Sequence, residues 1–228
     1  ALEYDPGEAI KTNVLGALNV VDAALAVPSV RRVIGISTDK ASAPLNLYGA
    51  TKLCMERLFV AANALAGADG ARFACVRYGN VTGSRGSVVQ VWRAAAEAGE
   101  PLQVTDPAAT RFWMTLDEAV SFVLSSLERM RGGEVFVPQL LAYRVRDLLC
   151  AVVPRNGSQA HVVTGMRPGE KLHEVLISPD ETCRAGFYGD RYVLAADSSG
   201  IAAPIGSGLV AEWMGIEDMR ERLAGLGS

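Results

Sequence analysis

Two short runs hold the residues best suited to moving protons. Ser37-Thr38-Asp39-Lys40 sets a carboxylate beside an amine, and Tyr48 and Lys52 follow, four residues apart. The chain writes its positive charge almost entirely as arginine, yet two of its four lysines, Lys40 and Lys52, fall in this stretch. An amine can give up its proton inside a protein, whereas a guanidinium effectively cannot. Lysine kept here therefore points to acid–base chemistry. Residues four apart on a helix share a face. A tyrosine is a poor base at its ordinary pKa of about 10, and a neighbouring ammonium lowers that value by favouring the phenolate. Tyr48 with Lys52 could then take a proton from a sugar or alcohol hydroxyl while hydride leaves the same carbon. Alone, Tyr-x-x-x-Lys is also what an amphipathic helix presents by chance, and Asp39-Lys40 alone reads as an exposed pair in a turn.

The surrounding pattern supplies elements to position these groups. Ala9, Ile10, Asn13, Val14, Ala17, Leu18, Val21, Ala24 and Leu25 recur at helical spacing and predict a helix over 7–26, stopped by Pro28. Val33-Ile34-Gly35-Ile36-Ser37 reads as a buried strand. A second helix follows at 46–65, and Phe73–Arg77 is a second strand. Helix, strand, helix, strand is half of a doubly wound α/β sheet, in which ligands bind at the C-terminal ends of the strands. Ser37-Thr38 stands at such an end. After Gly79 the texture changes: Gly79, Gly83 and Gly86 suggest a loop that approaches a ligand. Helices are expected at 87–98, from the Thr115/Glu118 capping box to about Met130, at 145–153 and at 170–176. Extended segments are expected at 101–105, 134–137 and 161–165. From Ala195 small residues dominate until an amphipathic segment near 209–224.

The chain has 228 residues, half of them hydrophobic, and a formal net charge of -3. That size allows one good core or two small domains. The charge gives no footprint for nucleic acid or an anionic membrane. No uninterrupted apolar run reaches the ~18 residues of a membrane span, and Ala1–Pro6 is too polar for a secretory signal. Cys54, Cys75, Cys150 and Cys183 match no metal or CxxC spacing, and Cys54 and Cys75 lie in apolar surroundings that predict buried thiols. His161 and His173 read as structural or surface residues. The expected compartment is the cytosol. Helices 7–26 and 46–65 are apolar on more than one face, which predicts a homo-oligomer.

A strand ending in Ser-Thr followed by Tyr-x-x-x-Lys resembles the extended short-chain dehydrogenase/reductases. Within them, six motifs occur in order: Ser37–Ala41, Asn46–Leu53, Arg77–Val81, Gly83–Val88, Thr110–Trp113 and Arg167–Glu174. They resemble the inverting UDP-N-acetylglucosamine 4,6-dehydratases of pseudaminic acid biosynthesis, within the CapD-like polysaccharide biosynthesis proteins. The resemblance runs from about residue 4 to 194. It implies the C-terminal part of a Rossmann-like doubly wound parallel sheet over 1–80, a small mixed α/β substrate lobe over 81–194 and a tail over 195–228. Membrane-attached and capsule-pathway relatives often carry methionine where this chain has Tyr48. The family opens with a glycine-rich strand–turn–helix that cradles the cofactor pyrophosphate, and no such turn opens this chain. The expectation is an N-terminally incomplete protein.

The resemblance also implies roles. Tyr48, with Lys52 and Thr38, would take the O4 proton while C4 gives hydride to NADP (NAD is the alternative). Lys40 would remove the C5 proton, and Asp39 would protonate the departing C6 hydroxyl. Ser37, Tyr48, Lys52 and Tyr78 would meet the cofactor. Asn80, Ser84, Arg85, Arg167 and Glu170 would hold the UDP-N-acetylhexosamine, although Arg167 and Glu170 read equally well as an interlobe ion pair. Asn13 would order a water or backbone group near the site, while Phe112 and Trp113 are expected in the core. The alternatives are a 4-epimerase, a retaining dehydratase, or an inactive binding or oligomerisation fragment.

Overall fold

The computed structural model describes residues 5–84, 87–153, 160–210 and 212–225. The chain divides into two compact units, one of Ala1–Gly79, Ala119–Gln139 and Val175–Ile205, the other of Asn80–Glu118, Leu140–Glu174 and Gly206–Ser228.

The first unit opens with the helix Pro6–Ala26. Asp5 caps it by accepting from Glu8 N at 3.0 Å, and Pro6 takes a first-turn position where no N–H is needed. Within it, Lys11–Leu15 forms a π turn. Such a turn re-aims a side chain without ending the helix, and Asn13 is thereby buried. By length and composition this helix is apolar enough to cross a membrane. Counting uninterrupted apolar residues misses that, because Lys11, Thr12, Asn13 and Asp22 break the run. In the structure Ala9, Ala17, Val21 and Ala24 are buried and the helix packs on the helix Leu47–Ala66. Ile10, Leu15, Leu18 and Val20 stay exposed.

Strand β1, Arg32–Thr38, and strand β2, Arg72–Tyr78, pair in parallel, with Ser37 opposite Arg77 and Thr38 opposite Tyr78. Val135–Pro138 adds to β2 in parallel. Arg191–Leu194 and Ala185–Phe187 then extend the five-stranded sheet antiparallel. The sheet is thus parallel only over its first three strands. Phe59 of helix Leu47–Ala66 meets Phe73 of β2 edge to face, centroids 6.0 Å apart; burying a side chain of this size stabilises by about 1.5–3 kcal/mol. Among the described residues β1 is an edge strand, and its Ile36 is 50% exposed.

The second unit is built on Trp92, Leu102, Val104, Trp113, Leu148 and Met219. Helices Val88–Glu97, Val145–Val152 and Ile216–Gly225 supply much of it. Short ladders join Leu102–Val104 to His161–Val163 and Thr110–Phe112 to Ala142–Arg144. Phe112 and Trp113 are core residues, and Trp113 packs edge-on against Tyr143 at 5.7 Å. The Thr115/Glu118 capping box forms at 2.8 and 3.3 Å.

Two expectations are corrected. Residues 170–176 are not a helix; Val175–Ile177 is a strand. The Pro168-Gly169 turn, with Gly169 at positive φ, gives no helical start, and the chain instead bridges to Thr110 through His173. His173 Nδ1 lies 2.8 Å from Thr110 Oγ1. Cys54 is exposed while Cys75 is buried. The buried positions of helix Leu47–Ala66 are Gly49, Thr51, Met55, Glu56, Phe59 and Ala62, and Cys54 falls off that face. Burial pushes the Cys75 thiol up.

The first unit also buries a set of charges. Arg77 is 0% exposed. Its guanidinium grips Glu56 through Nε at 2.9 Å and Nη2 at 2.6 Å, and Glu181 through Nη1 at 2.8 Å and Nη2 at 2.9 Å. Nη1 also donates to Leu176 O at 2.8 Å, so all five N–H groups of the guanidinium have acceptors. Burial alone would raise the pKa of Glu181, but the hydrogen bonds and charge of Arg77, with Ser178 N–H and Arg184, hold its carboxyl at about 2. A depressed carboxyl contributes fully above its unfolded pKa of about 4.3, and that contribution drains away as pH falls toward the folded value. Glu181→Gln should cost about 3–5 kcal/mol at neutral pH. Its deficit against wild type should shrink steadily between pH 4.5 and 2. Urea unfolding across that range checks it; a constant deficit contradicts the assignment.

Candidate active site

β1 ends in Ser37-Thr38 and turns at once into the 3-10 segment Asp39–Ala41. Thr38 Oγ1 accepts from Lys40 N at 3.4 Å and donates to Asp39 Oδ1 at 2.9 Å. Lys40 Nζ donates to the same Asp39 oxygen at 3.0 Å. Asp39 is 1% exposed, and Lys40 is half-buried. The turn is tight. Ala43, before Pro44, has φ 44 and is the one non-glycine residue at positive φ among the described residues. Strain of this kind clusters at functional sites.

Asn46 caps the next helix by accepting from Gly49 N at 2.7 Å. A Cβ on Gly49 would collide with the backbone carbonyl of Lys40. Only a glycine there lets the start of the helix lie against the Asp39-Lys40 turn. Tyr48 and Lys52 leave this helix one turn apart, both half-buried. Thr51 Oγ1 donates to Tyr48 O at 2.9 Å, and Asn13 Nδ2 donates to Thr51 Oγ1 at 3.0 Å. The π turn of the first helix thus reaches the backbone of the tyrosine through one hydroxyl.

The electrostatics differ from the simplest reading of Tyr-x-x-x-Lys. Burial raises the Tyr48 hydroxyl above its ordinary value; the opposing influence is the Lys40 charge, and Asp39 adds to the rise. Lys52 Nζ donates to Ile36 O at 3.0 Å. Burial lowers its ammonium, with Cys75 and Glu56 working against that. Ser37, buried, donates to Glu56 Oε1 at 2.6 Å. Tyr78 is half-buried, and burial raises its hydroxyl too.

The second unit holds the other expected residues. Asn80, Ser84 and Ser87 line a cavity of about 280 Å³ with Thr82 and Tyr143. Ser87 Oγ is buried there without a hydrogen-bond partner among the described residues. Residue-by-residue reading missed it; the signal was its place in the Gly83–Val88 motif. Arg85 lies outside the described residues. Glu170 accepts from Arg111 Nη2 at 2.8 Å, Thr105 Oγ1 at 3.2 Å and Arg167 N at 3.2 Å. Arg111, given no role of its own within the Thr110–Trp113 motif, is what orients this carboxylate. Arg167 is exposed.

Residues 1–196 match the model of one family, described as polysaccharide biosynthesis protein. The chain belongs to that family. A UDP-N-acetylglucosamine 4,6-dehydratase (inverting) from Campylobacter jejuni is 50% identical over 181 residues, 79% of this chain and 53% of that protein. A UDP-glucose 4-epimerase from Rickettsia canadensis is 38% identical over 196 residues, 86% of this chain and 57% of that protein. The chain spans about half the length of the curated relatives it matches. Among solved structures, Pen from Bacillus thuringiensis is 31% identical with a TM-score of 0.91, covering 98% of this chain and 71% of Pen. More distant solved structures of the same fold, about a fifth identical, hold NAD or NADPH. The chain shares the Rossmann-like α/β fold of these structures.

Proposed function

We propose that this chain carries the acid–base machinery of a nucleotide-sugar 4,6-dehydratase that acts on UDP-N-acetylglucosamine with inversion at C5. The observation that carries the reading is the Asp39–Lys40 ion pair at the carboxyl end of β1, closed at 3.0 Å on a buried carboxylate. Moving one proton along that contact turns it into a neutral acid beside a neutral amine. Those are the protonation states that elimination needs. Lys40 then takes the C5 proton, made acidic by a ketone at C4, and Asp39 gives its proton to the departing C6 hydroxyl. The pair ends as ammonium and carboxylate. Tyr48 takes the O4 proton beforehand.

The nicotinamide cofactor this reading requires suits the donors present. Tyr48 offers a hydroxyl. Lys52 offers an ammonium of three N–H groups, of which Ile36 O accepts one. When bound, the cofactor would supply a hydride acceptor for C4 and a hydride donor for C6, and C5 would regain a proton of solvent origin on the face opposite Lys40; NADP is the form proposed. Asn80, Ser84 and Ser87 are proposed to hold the UDP-sugar, and the exposed apolar side chains of helix Pro6–Ala26 fit a homo-oligomer.

The test is the product formed by the full-length protein with UDP-N-acetylglucosamine and NADP. Proton NMR should show the C6 hydroxymethyl signals replaced by a methyl group. The second reading, a 4-epimerase, is favoured by the Rickettsia relative and would leave the C6 hydroxyl in place with C4 inverted.

A further inference from the structure

The catalytic turn is bracketed by two serines. Ser37 precedes Thr38-Asp39-Lys40-Ala41, and Ser42 follows it. Ser37 Oγ donates to Glu56 Oε1 at 2.6 Å, and Ser42 Oγ donates to Glu181 Oε2 at 3.2 Å. Both glutamates are gripped by the one guanidinium of Arg77. A closed ring results, running Ser37, Glu56, Arg77, Glu181, Ser42 and back through the turn itself. Its members come from β1, the residue that ends the Asp39–Ala41 segment, the helix of Tyr48 and Lys52, β2 and the 3-10 segment Pro179–Arg184.

We propose that this ring is a positioning device: Arg77, Glu56, Glu181 and Ser42 are positioning residues that set where Asp39 and Lys40 stand. The proposal rests on the dehydratase reading above. A buried ion cluster is often no more stabilising than apolar residues of equal volume, so stability alone is a weak account of five satisfied guanidinium donors at this spot. What the ring supplies is geometry. Each end of the six-residue stretch Ser37–Ser42 is held by a carboxylate that Arg77 fixes through paired hydrogen bonds. The same Glu56 lies one turn beyond Lys52, so helix and turn share one anchor. Small displacements of reacting groups cost heavily: about 1 Å is worth up to roughly a hundredfold in rate.

Ser42→Ala tests this with the least risk to folding, because it removes one hydroxyl and no buried charge. In the full-length protein its kcat should fall about tenfold to a hundredfold. KM should stay within about twofold, and the melting temperature should hold. The loss should fall on elimination, so reduced cofactor should build up during turnover, seen by its near-ultraviolet absorbance. Added to Lys40→Arg, the same change should cost nothing further, since the group it positions is already gone. A kcat within twofold of wild type overturns the proposal. So does a loss that multiplies with that of Lys40→Arg, or one shared equally by every step. A wild-type protein that forms no 4-keto-6-deoxy sugar overturns the dehydratase reading itself, which separates the two failures.

Discussion

Lys40→Arg in the full-length protein should slow turnover by about two to four powers of ten. The substitution keeps the positive charge and the ion pair with Asp39, but a guanidinium cannot serve as a base near neutral pH. Substrate affinity should change little, because charge and approximate length are preserved. The block should come after oxidation at C4. Mixing enzyme, cofactor and substrate should therefore give reduced cofactor without water loss, followed by absorbance and by NMR. Near-normal turnover removes Lys40 as the C5 base.

Tyr48→Phe should cost as much, about two to four powers of ten, but stop the reaction earlier. The ring and its packing remain, and one hydroxyl is lost. Without it nothing takes the O4 proton, so C4 is not oxidised and reduced cofactor should not appear. The two variants thus have similar rates and opposite absorbance signatures. Burial sets the wild-type hydroxyl above its ordinary pKa, so the phenolate is scarce at neutral pH. Wild-type kcat/KM should accordingly climb as pH rises. A Tyr48→Phe protein that still reduces the cofactor contradicts the role.

The parts that were legible in the sequence are those governed by local periodicity. Helices Pro6–Ala26 and Leu47–Ala66 and strands β1 and β2 follow from apolar spacing, within a residue or so at each end. The proposed acid–base residues stand out because lysine is scarce and the motif spacing is short. The misread helix at 170–176 has Leu172, Val175 and Leu176 at helical spacing, yet Val175–Ile177 finds a strand partner far along the chain. The π turn at Lys11–Leu15 leaves no periodic trace, since one extra residue barely shifts the pattern. The ring around Arg77 was invisible for a different reason. Its partners lie 21 and 104 residues away, and no pattern along the chain says which carboxylates a buried guanidinium will meet. The sense of the Tyr48 shift was likewise out of reach. Tyr-x-x-x-Lys names two groups on one face, but only the packed site shows burial outweighing the Lys40 charge.

On the proposed mechanism water is lost from C5 and C6 through acid–base groups on the turn after β1, while the substrate's own C4 hydrogen moves to C6. One labelling measurement tests it most directly. UDP-N-acetylglucosamine deuterated at C4 is converted by the full-length protein in ordinary water, and unlabelled substrate is converted in heavy water. NMR of the immediate product locates each label. The account predicts C4 deuterium in the new C6 methyl group in the first case. In the second it predicts solvent deuterium at C5, with the C5 configuration inverted. Deuterium retained at C4 of a product that keeps its C6 hydroxyl would mean an epimerase and remove the roles given to Asp39 and Lys40.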